Sequence, residues 1–198
     1  MKRLMLALAA VTALLLPVVA PAAVWNIDPD HSSVAFKVRH LMVSNVKGSF
    51  SKFAGTVELD EQDLTRSKVA VTIDTASIGT NVQKRDDHLR SADFFDVAVY
   101  PVMTFVSKKM AETGAGRLAI TGDLTLHGVT REVVLDVEGP SPAGKDPWGG
   151  LRRGATASAK LNRKDFGLGW NQILEAGGVA VGEEVDISLE VELVKVQP

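Results

Sequence analysis

The stretch 184-EVDISLEVEL-193 alternates a polar or acidic residue with an aliphatic one at every step. In an extended strand, successive side chains point to opposite faces, so the aliphatic residues of this stretch share one face and the polar residues share the other. A strand of this kind packs one face on a core and exposes the other to water, as in antiparallel sheets. The stretch therefore predicts an amphipathic β-strand of about ten residues.

The same alternation recurs along most of the chain. It is clearest in 32-SSVAFKVRH-40, 68-KVAVTID-74, 117-RLAITGDLTL-126 and 131-REVVLDVE-138. Turn signals such as 113-TGAG-116 and 175-EAGG-178 separate such stretches, which indicates eight or nine strands. Long strands with one wet face must close or stack to protect their edges. We predict an all-β fold, a closed antiparallel β-barrel of about eight strands whose interior can hold one small ligand, with a two-sheet sandwich as the alternative.

Residues 1–22 have the features of a secretory signal peptide: a basic start, an apolar centre and a small-residue pattern before the cleavage point. Cleavage is expected after Ala22 or Ala23, which makes residues 23–198 a single domain located in the periplasm. A retained membrane anchor is the alternative. The apolar run is short for a membrane span, however, and Pro17 interrupts it.

The composition excludes several classes of protein. The chain has no cysteine, which removes disulfides, cysteine-ligated metals and thiol catalysis. It carries 22 basic and 24 acidic residues, and it has no basic block of the kind that nucleic-acid-binding proteins show. We therefore predict no nucleic-acid partner and no cofactor.

One short helix is predicted within this β-rich chain. Thr80 followed by Gln83 has the form of a capping box, so the helix is expected to begin near Asn81. Val82 and Leu89 would face inward, and the charged residues between them would face solvent. The expected role of this helix is to cover an open end of the barrel.

Two polar clusters are candidates for chemistry. The first is 85-RDDHLR-90, which carries alternating charges on the predicted helix, and the second is formed by Asp28, Asp30 and His31. Alternating charges on a short helix are usually a solvated face, and an Asx turn explains the second cluster without a metal. Neither a nucleophile elbow nor a phosphate-binding loop is present. We predict no catalytic residue and no metal ligand.

Four longer stretches match a known family in order and spacing. They are 27-IDPDHSSVAFKVRHLMVSNVKGSFSKFAGTVELD-60, 85-RDDHLRSADFFDVAVYPVMTF-105, 120-ITGDLTLHGVTREVVLDV-137 and 162-NRKDFGLGW-170. The chain resembles the YceI-like family of polyisoprenoid-binding, lipocalin-like proteins over residues 24–196. This resemblance implies an extended barrel with a deep apolar pocket for a long-chain amphiphile: an isoprenoid quinone, a prenyl lipid or a fatty-acid derivative. It implies no catalytic residues, and it places Phe94 and Phe95 of the helical segment toward the pocket.

The resemblance and the strand phases together suggest which residues bind the ligand. The expected wall consists of Phe36, Val38, Phe50, Phe53, Val57, Val71, Phe94, Phe95, Met103, Phe105, Phe166 and Trp170, and the candidates for the polar head of the ligand are His40, Arg85 and Arg90. Phe50 and Phe53 cannot both point inward on one uninterrupted strand, so a turn or bulge is required between Gly48 and Ala54.

Three functions are compatible with these observations. The first is a non-catalytic carrier or reservoir for a hydrophobic ligand, with a homodimer as a possible assembly. The second is an enzyme that acts on such a lipid and uses His31, Asp86 or His88. The third is a stress-related scaffold whose barrel interior is solid.

Overall fold

The computed structural model describes residues 22–175 and 177–197. Apart from Ala22, the predicted signal peptide lies outside the described residues. Within the described part of the chain, no helix has both the length and the apolar character needed to cross a bilayer.

Twelve strands and one α-helix make up the described fold. The strands are β1 (Ala23–Ile27), β2 (Ser33–His40), β3 (Ser44–Phe50), β4 (Phe53–Leu59), β5 (Lys68–Asp74), β6 (Ile78–Gly79), β7 (Val102–Gly114), β8 (Arg117–Leu126), β9 (Val129–Glu138), β10 (Gly144–Lys145), β11 (Leu151–Asn162) and β12 (Val181–Lys195). The helix α1 spans Gln83–Arg90, and short 3₁₀ turns occupy Leu64–Arg66, Thr75–Ser77 and Arg163–Phe166.

The strands close into an eight-stranded antiparallel barrel. Hydrogen-bonded neighbours follow the order β1, β4, β5, β7, β8, β9, β11 and β12, and β12 returns to β1. The seam between β9 and β11 is short, with three paired positions, whereas β11 and β12 pair over eleven. The prediction of a closed antiparallel barrel is confirmed.

Three of the eight barrel strands are bent, and each consists of two shorter strands: β1 with β2, β3 with β4, and β5 with β6. β1 and β2 lie on the same edge of β12, β2 pairs with β3, and β6 pairs with β3 beyond the end of β5. Ser51 and Lys52 interrupt the strand between β3 and β4, which lets Phe50 and Phe53 both face the interior. The predicted interruption is therefore present, because a strand can place both rings inward only by changing phase.

The two ends of the barrel are closed differently. At one end, called the base here, Trp25 is fully buried, and the cations of Arg153 and Lys195 lie 5.2 and 5.8 Å from the centre of its ring. At the other end, called the helix end, α1 and residues 163–175 and 177–180 cover the interior, with Phe166 and Leu168 almost completely buried. The expectation that the helix covers one end of the barrel agrees with this arrangement.

The start of α1 differs from the sequence prediction. The helix begins at Gln83, its N-cap position is Val82, and no side chain caps it. Instead the backbone N–H of Thr80 donates to Asp86 Oδ1 at 2.8 Å, and the Thr80 hydroxyl donates to the same oxygen. Val82 is exposed rather than inward, whereas Leu89 packs against the core as expected. The capping box does not form because the buried carboxylate of Asp86 takes both donors of Thr80.

Replacement of Asp86 by Ala should destabilise the protein because it leaves two buried donors of Thr80 without an acceptor. The expected loss is about 1–3 kcal/mol, or a fall in Tm of roughly 2–10 °C for a chain of this size. Thermal unfolding followed by circular dichroism measures it. The neighbouring exposed Asp87→Ala is the matched control and should change Tm by little. Equal Tm values for the two variants would contradict the structural role of Asp86.

Candidate ligand-binding cavity

The barrel encloses an elongated cavity of about 300 Å³ that runs from near the base to the helix end. The wall surface that the described residues present to it is apolar. Residues from β2, β4, β5, β7, β8, β9, β11 and β12 contribute, because the inward positions of each strand recur every second residue. The interior is therefore hollow and dry in character, as in a pocket for an apolar ligand.

The space exists because one barrel strand, β11, has small inward side chains. The inward positions of β11 carry Ala155, Ala157 and Ala159 before the larger Leu161. The facing positions of β12 are aliphatic and of ordinary size, so the alanines leave a gap that no neighbour fills. The role of β11 was not predicted from the sequence, because the expected wall consisted of large side chains. Its signal was present as the alternation of alanine with polar residues in 155-ATASAK-160.

Two aromatic rings approach glycines on neighbouring strands closely. A methyl group on Gly48 would stand 2.3 Å from the ring of Phe36, and one on Gly122 would stand 2.5 Å from the ring of Phe105. Glycine at these positions lets each ring fold against the wall rather than extend across the barrel. The two glycines thus contribute to keeping the centre of the cavity open.

Aromatic contacts connect the wall to the covering segment. The ring of Phe50 lies 5.9 Å from that of Phe36 and 5.6 Å from that of Phe95, the second pair edge to face. Phe94 contacts Trp170 at 5.2 Å, centre to centre. The segment that follows α1 is therefore anchored to the barrel by edge and tilted ring contacts, which are favourable geometries for aromatic pairs.

Most of the wall residues expected from the sequence lie at the cavity. Those at its surface are Phe36, Val38, Phe50, Phe53, Val57, Val71, Phe94, Phe95, Met103, Phe105 and Phe166. Their position is a property of the structure, and their contact with a ligand stays a prediction.

Trp170 and the three candidates for the polar head lie elsewhere. Trp170 packs on Phe94 and on the imidazole of His88, outside the cavity lining. His40 is paired with Ser44 and Val181 at the rim, also outside the lining.

The two arginines are occupied by backbone carbonyls and a hydroxyl. Arg85 donates to the hydroxyl and carbonyl oxygens of Thr80, at 2.6 and 2.8 Å. Arg90 donates to the carbonyl oxygens of Ala76 and Ile78, at 2.9 and 2.6 Å. Both guanidinium groups therefore tie α1 to the preceding segment, and neither lines the cavity. A head-group role for Arg85 or Arg90 does not fit these contacts.

Arg163 is a cavity-lining cation that the sequence reasoning missed. It is buried, and its guanidinium donates to the carbonyl oxygens of Gly182, Leu168 and Val181. Burial lowers its pKa from the usual value. These bonds hold the covering segment 163–168 against the start of β12, so the main role of Arg163 is to fix the helix end. No sequence pattern indicates this role, because the acceptors come from two separate segments, the residues after the 3₁₀ turn and the start of β12.

The candidate metal cluster of the sequence lies on the outside of the barrel. Asp28, His31 and Glu192 are close enough to share an ion, but Arg152 already binds the two carboxylates, with its Nη1 2.7 Å from Asp28 Oδ2. Arg152 also binds Asp146 at 2.8 Å. The amide of residue 30 donates to Asp28 Oδ1 at 3.0 Å, which is the Asx turn expected from the sequence. The cluster is a salt-bridge network that holds the bend between β1 and β2 to β12.

This network should make the stability of the protein depend on pH in the acidic range, between about 2 and 3.8. Hydrogen bonds from His31 and Arg152 lower the pKa of Asp28 from 3.8 to about 2. A carboxylate with a lowered folded pKa stabilises the protein above its unfolded pKa, and the contribution is lost as pH falls from about 3.8 through about 2. Tm of the protein should therefore fall over this interval, and Asp28→Asn should flatten the fall. Parallel curves for the two proteins would show that Asp28 does not carry the acid sensitivity.

Comparison with known proteins agrees with this architecture. The family model described as the YceI-like domain matches residues 25–193. The chain belongs to the YceI-like family. The resemblance inferred from the four sequence stretches is thereby confirmed.

Two relatives match this chain over nearly its whole length. A UPF0312 protein of Vibrio cholerae is 40% identical over 97% of this chain and 98% of its own length. Another UPF0312 protein, from Pseudomonas putida, is 41% identical over 98% of both chains.

Solved structures share the fold of this YceI-like chain. The YceI protein of Campylobacter jejuni has a TM-score of 0.68 at 32% identity, covering 81% of this chain and 91% of its own. Burkholderia cenocepacia BcnA has a TM-score of 0.72 at 24% identity, covering 84% and 98%. A domain from Saccharophagus degradans, described as polyisoprenoid binding and implicated in plant cell wall breakdown, has a TM-score of 0.63 at 16% identity, covering 88% and 99%. The last two likenesses show the fold alone.

Proposed function

We propose that the barrel binds the apolar tail of a long-chain amphiphile, a polyisoprenoid, an isoprenoid quinone or a fatty-acid derivative, and transports or stores it without chemical change. The observation that carries this proposal is the apolar cavity of about 300 Å³ beneath α1. The scaffold alternative requires a solid barrel. The inward alanines of β11 leave a cavity instead. The name of the Saccharophagus degradans domain, which refers to polyisoprenoid binding, supports the same class of ligand here.

The affinity would come from burial of apolar surface. Removing apolar area from water contributes about 25 cal/mol per Å², so a tail in a dry channel binds without many polar contacts. The volume lies near the lower end of the range for small-molecule pockets, roughly 300–1,000 Å³. We infer that the cavity accepts one tail and leaves the polar head at or beyond the rim.

A binding role also fits the titratable groups considered for catalysis. The imidazole of His31 binds Asp28 on the outer surface, and that of His88 binds Asp93 at 2.8 Å. Asp86 accepts from Thr80. Each group is engaged in a structural bond and none lines the cavity, which favours a carrier over an enzyme. The proposed site of action is the periplasm, reached through the predicted signal peptide, and a homodimer stays a prediction.

The first experiment identifies the cargo. Protein purified from its native host is extracted with organic solvent, and the extract is analysed by mass spectrometry. A recurring long-chain molecule in stoichiometric amount is expected. An extract without lipid, from a protein that also fails to take up added isoprenoid and acyl probes, would overturn the proposal.

The second experiment fills the cavity. Ala157→Phe adds an aromatic ring to the inner wall and should reduce uptake of the fluorescent fatty acid cis-parinaric acid by about tenfold or more, because the ring occupies space that the tail needs. The folded state should survive, since the ring enters an existing void. Ser158→Phe is the matched control: it adds the same ring at the neighbouring exposed position on the outer face. Equal uptake by both variants would show that the tail does not lie against β11.

A further inference from the structure

The turn between β2 and β3 has an unusual combination of backbone and side chains. Leu41 and Met42 both have positive φ, 48° and 61°, and the N–H of Val43 donates to the carbonyl of His40 at 3.1 Å. Positive φ at both central residues is the signature of the type I′ hairpin turn, which favours Asn-Gly. A branched or long side chain in this conformation costs on the order of 1 kcal/mol per residue. Leucine and methionine therefore occur here against the local backbone preference.

The side chains of this turn are presented to solvent. Leu41 and Met42 are exposed, and Val43 is 75% exposed. A polar turn would be both less strained and better hydrated, so neither folding nor solubility explains an apolar triplet at this place. Strained conformations that persist are commonly associated with function.

A second loop extends the same apolar surface. The N–H of Leu41 donates to the carbonyl of Ala180 at 2.8 Å, and a methyl group on Gly178 would stand 3.0 Å from Met42 Cγ. The hairpin to which Gly178 belongs carries Ile173, which is 88% exposed. Leu41, Met42, Val43 and Ile173 are called the apolar tip below. The tip stands on two loops at the helix end, which the hydrogen bond from Leu41 to Ala180 joins.

The hairpin that carries the tip is cationic. Residues 33–50, which form β2, the turn and β3, contain Lys37, Arg39 and Lys47 and no acidic residue, in a chain whose net charge is −2. Lys37 lies opposite Lys47 in the ladder between β2 and β3, a like-charge pair that costs stability. Asp186 neutralises Lys37 at 2.9 Å. Within the described residues, Arg39 and Lys47 have no carboxylate within 4.0 Å, and Glu175 is the acidic residue of the second loop.

We propose that the apolar tip and the cationic hairpin dock the helix end of the barrel on the surface of an anionic phospholipid bilayer. Apolar side chains that enter the interface and cations that face acidic lipid head groups are the two contributions that hold peripheral proteins on membranes. The position fits this role, because Val38 and Val181, near the two loops of the tip, line the cavity at its helix end. The proposal rests on the proposed function, since docking here brings the cavity next to the phase in which its cargo dissolves.

A bilayer explains the charge better than a second copy of the chain does. Two copies meeting tip to tip would bring their unneutralised cations together, and like charges at an interface are unfavourable. An acidic lipid surface instead attracts each of them, at about 1 kcal/mol per cation near the surface. The charge therefore selects the bilayer as the occupant of the apolar tip.

The test uses a double variant that matches the turn type. Leu41→Asn with Met42→Gly replaces the apolar residues by the pair that a type I′ turn favours, so Tm should stay equal or rise. Sedimentation with vesicles of phosphatidylglycerol and phosphatidylethanolamine should show partitioning at least about tenfold weaker than for the parent protein. The two proteins are compared with the same N-terminus, verified by mass spectrometry, so residues 1–21 contribute equally. A merely structural role of the turn would change Tm and leave vesicle binding unaltered.

Three controls make the outcome specific. Trp148→Ser removes a side chain that is 85% exposed in the loop between β9 and β11, and it should leave vesicle binding unchanged. Lys47→Gln should weaken binding to the anionic vesicles without affecting any binding to phosphatidylcholine vesicles. Uptake of cis-parinaric acid separates the two proposals: the Asn-Gly variant should retain it, and Ala157→Phe should lose it while still binding vesicles. Equal vesicle binding by the parent and the Asn-Gly variant, or no binding by the parent, would overturn the docking proposal whatever the uptake result.

Discussion

The interior of this barrel is hollow because the sheet is closed but the inward side chains are too small to fill the space that it encloses. Eight antiparallel staves remove the open edges of the sheet, and closure at this size leaves an interior that ordinary side chains can just fill. Here one stave, β11, supplies alanines at three successive inward positions. Glycines on β3 and β8 let two phenylalanine rings lie along the wall. The empty volume is thus specified by small residues at defined positions, while the large apolar residues form its boundary.

The two ends of the barrel use this interior differently. Trp25, with two cations near its ring, closes the base, and none of the three lines the cavity. The helix end is covered by segments that contribute their own aromatic rings to the wall, Phe94, Phe95 and Phe166. The cover is fastened by arginines that bind backbone carbonyls, Arg85, Arg90 and Arg163. Because these hydrogen bonds hold the covering segments in place from outside the cavity or at its edge, the inner surface of those segments can remain apolar.

The sequence predicted the architecture well because period two is a local property. Alternation along β2, β5, β8, β9 and β12 predicted strands with one apolar face and favoured a barrel over a two-sheet sandwich, and the phase break between Phe50 and Phe53 followed from the same rule. Sequence reasoning failed where the partner is remote. Arg85 and Arg90 resemble surface cations until the carbonyls of residues 76–80 are placed beside them, and Asp86 was assigned to a solvated face although it accepts two bonds from Thr80. The role of the alanines of β11 was not predicted, because a cavity is formed by missing side-chain volume and leaves no distinctive residue in the sequence.

The last strand in the ring, β12, has a consequence for how the molecule reaches its folded state. It forms ladders with β1, β2 and β11, so both seams that join the beginning of the chain to its end require it. A nascent chain that lacks β12 is an open sheet with two unsatisfied edges, and its contacts of largest sequence separation form only after synthesis of that strand. Topologies dominated by such distant pairings fold slowly. Closure of the barrel therefore waits for the synthesis of β12, and a ribosome-bound chain that ends before residue 181 keeps two sheet edges that can pair with other chains.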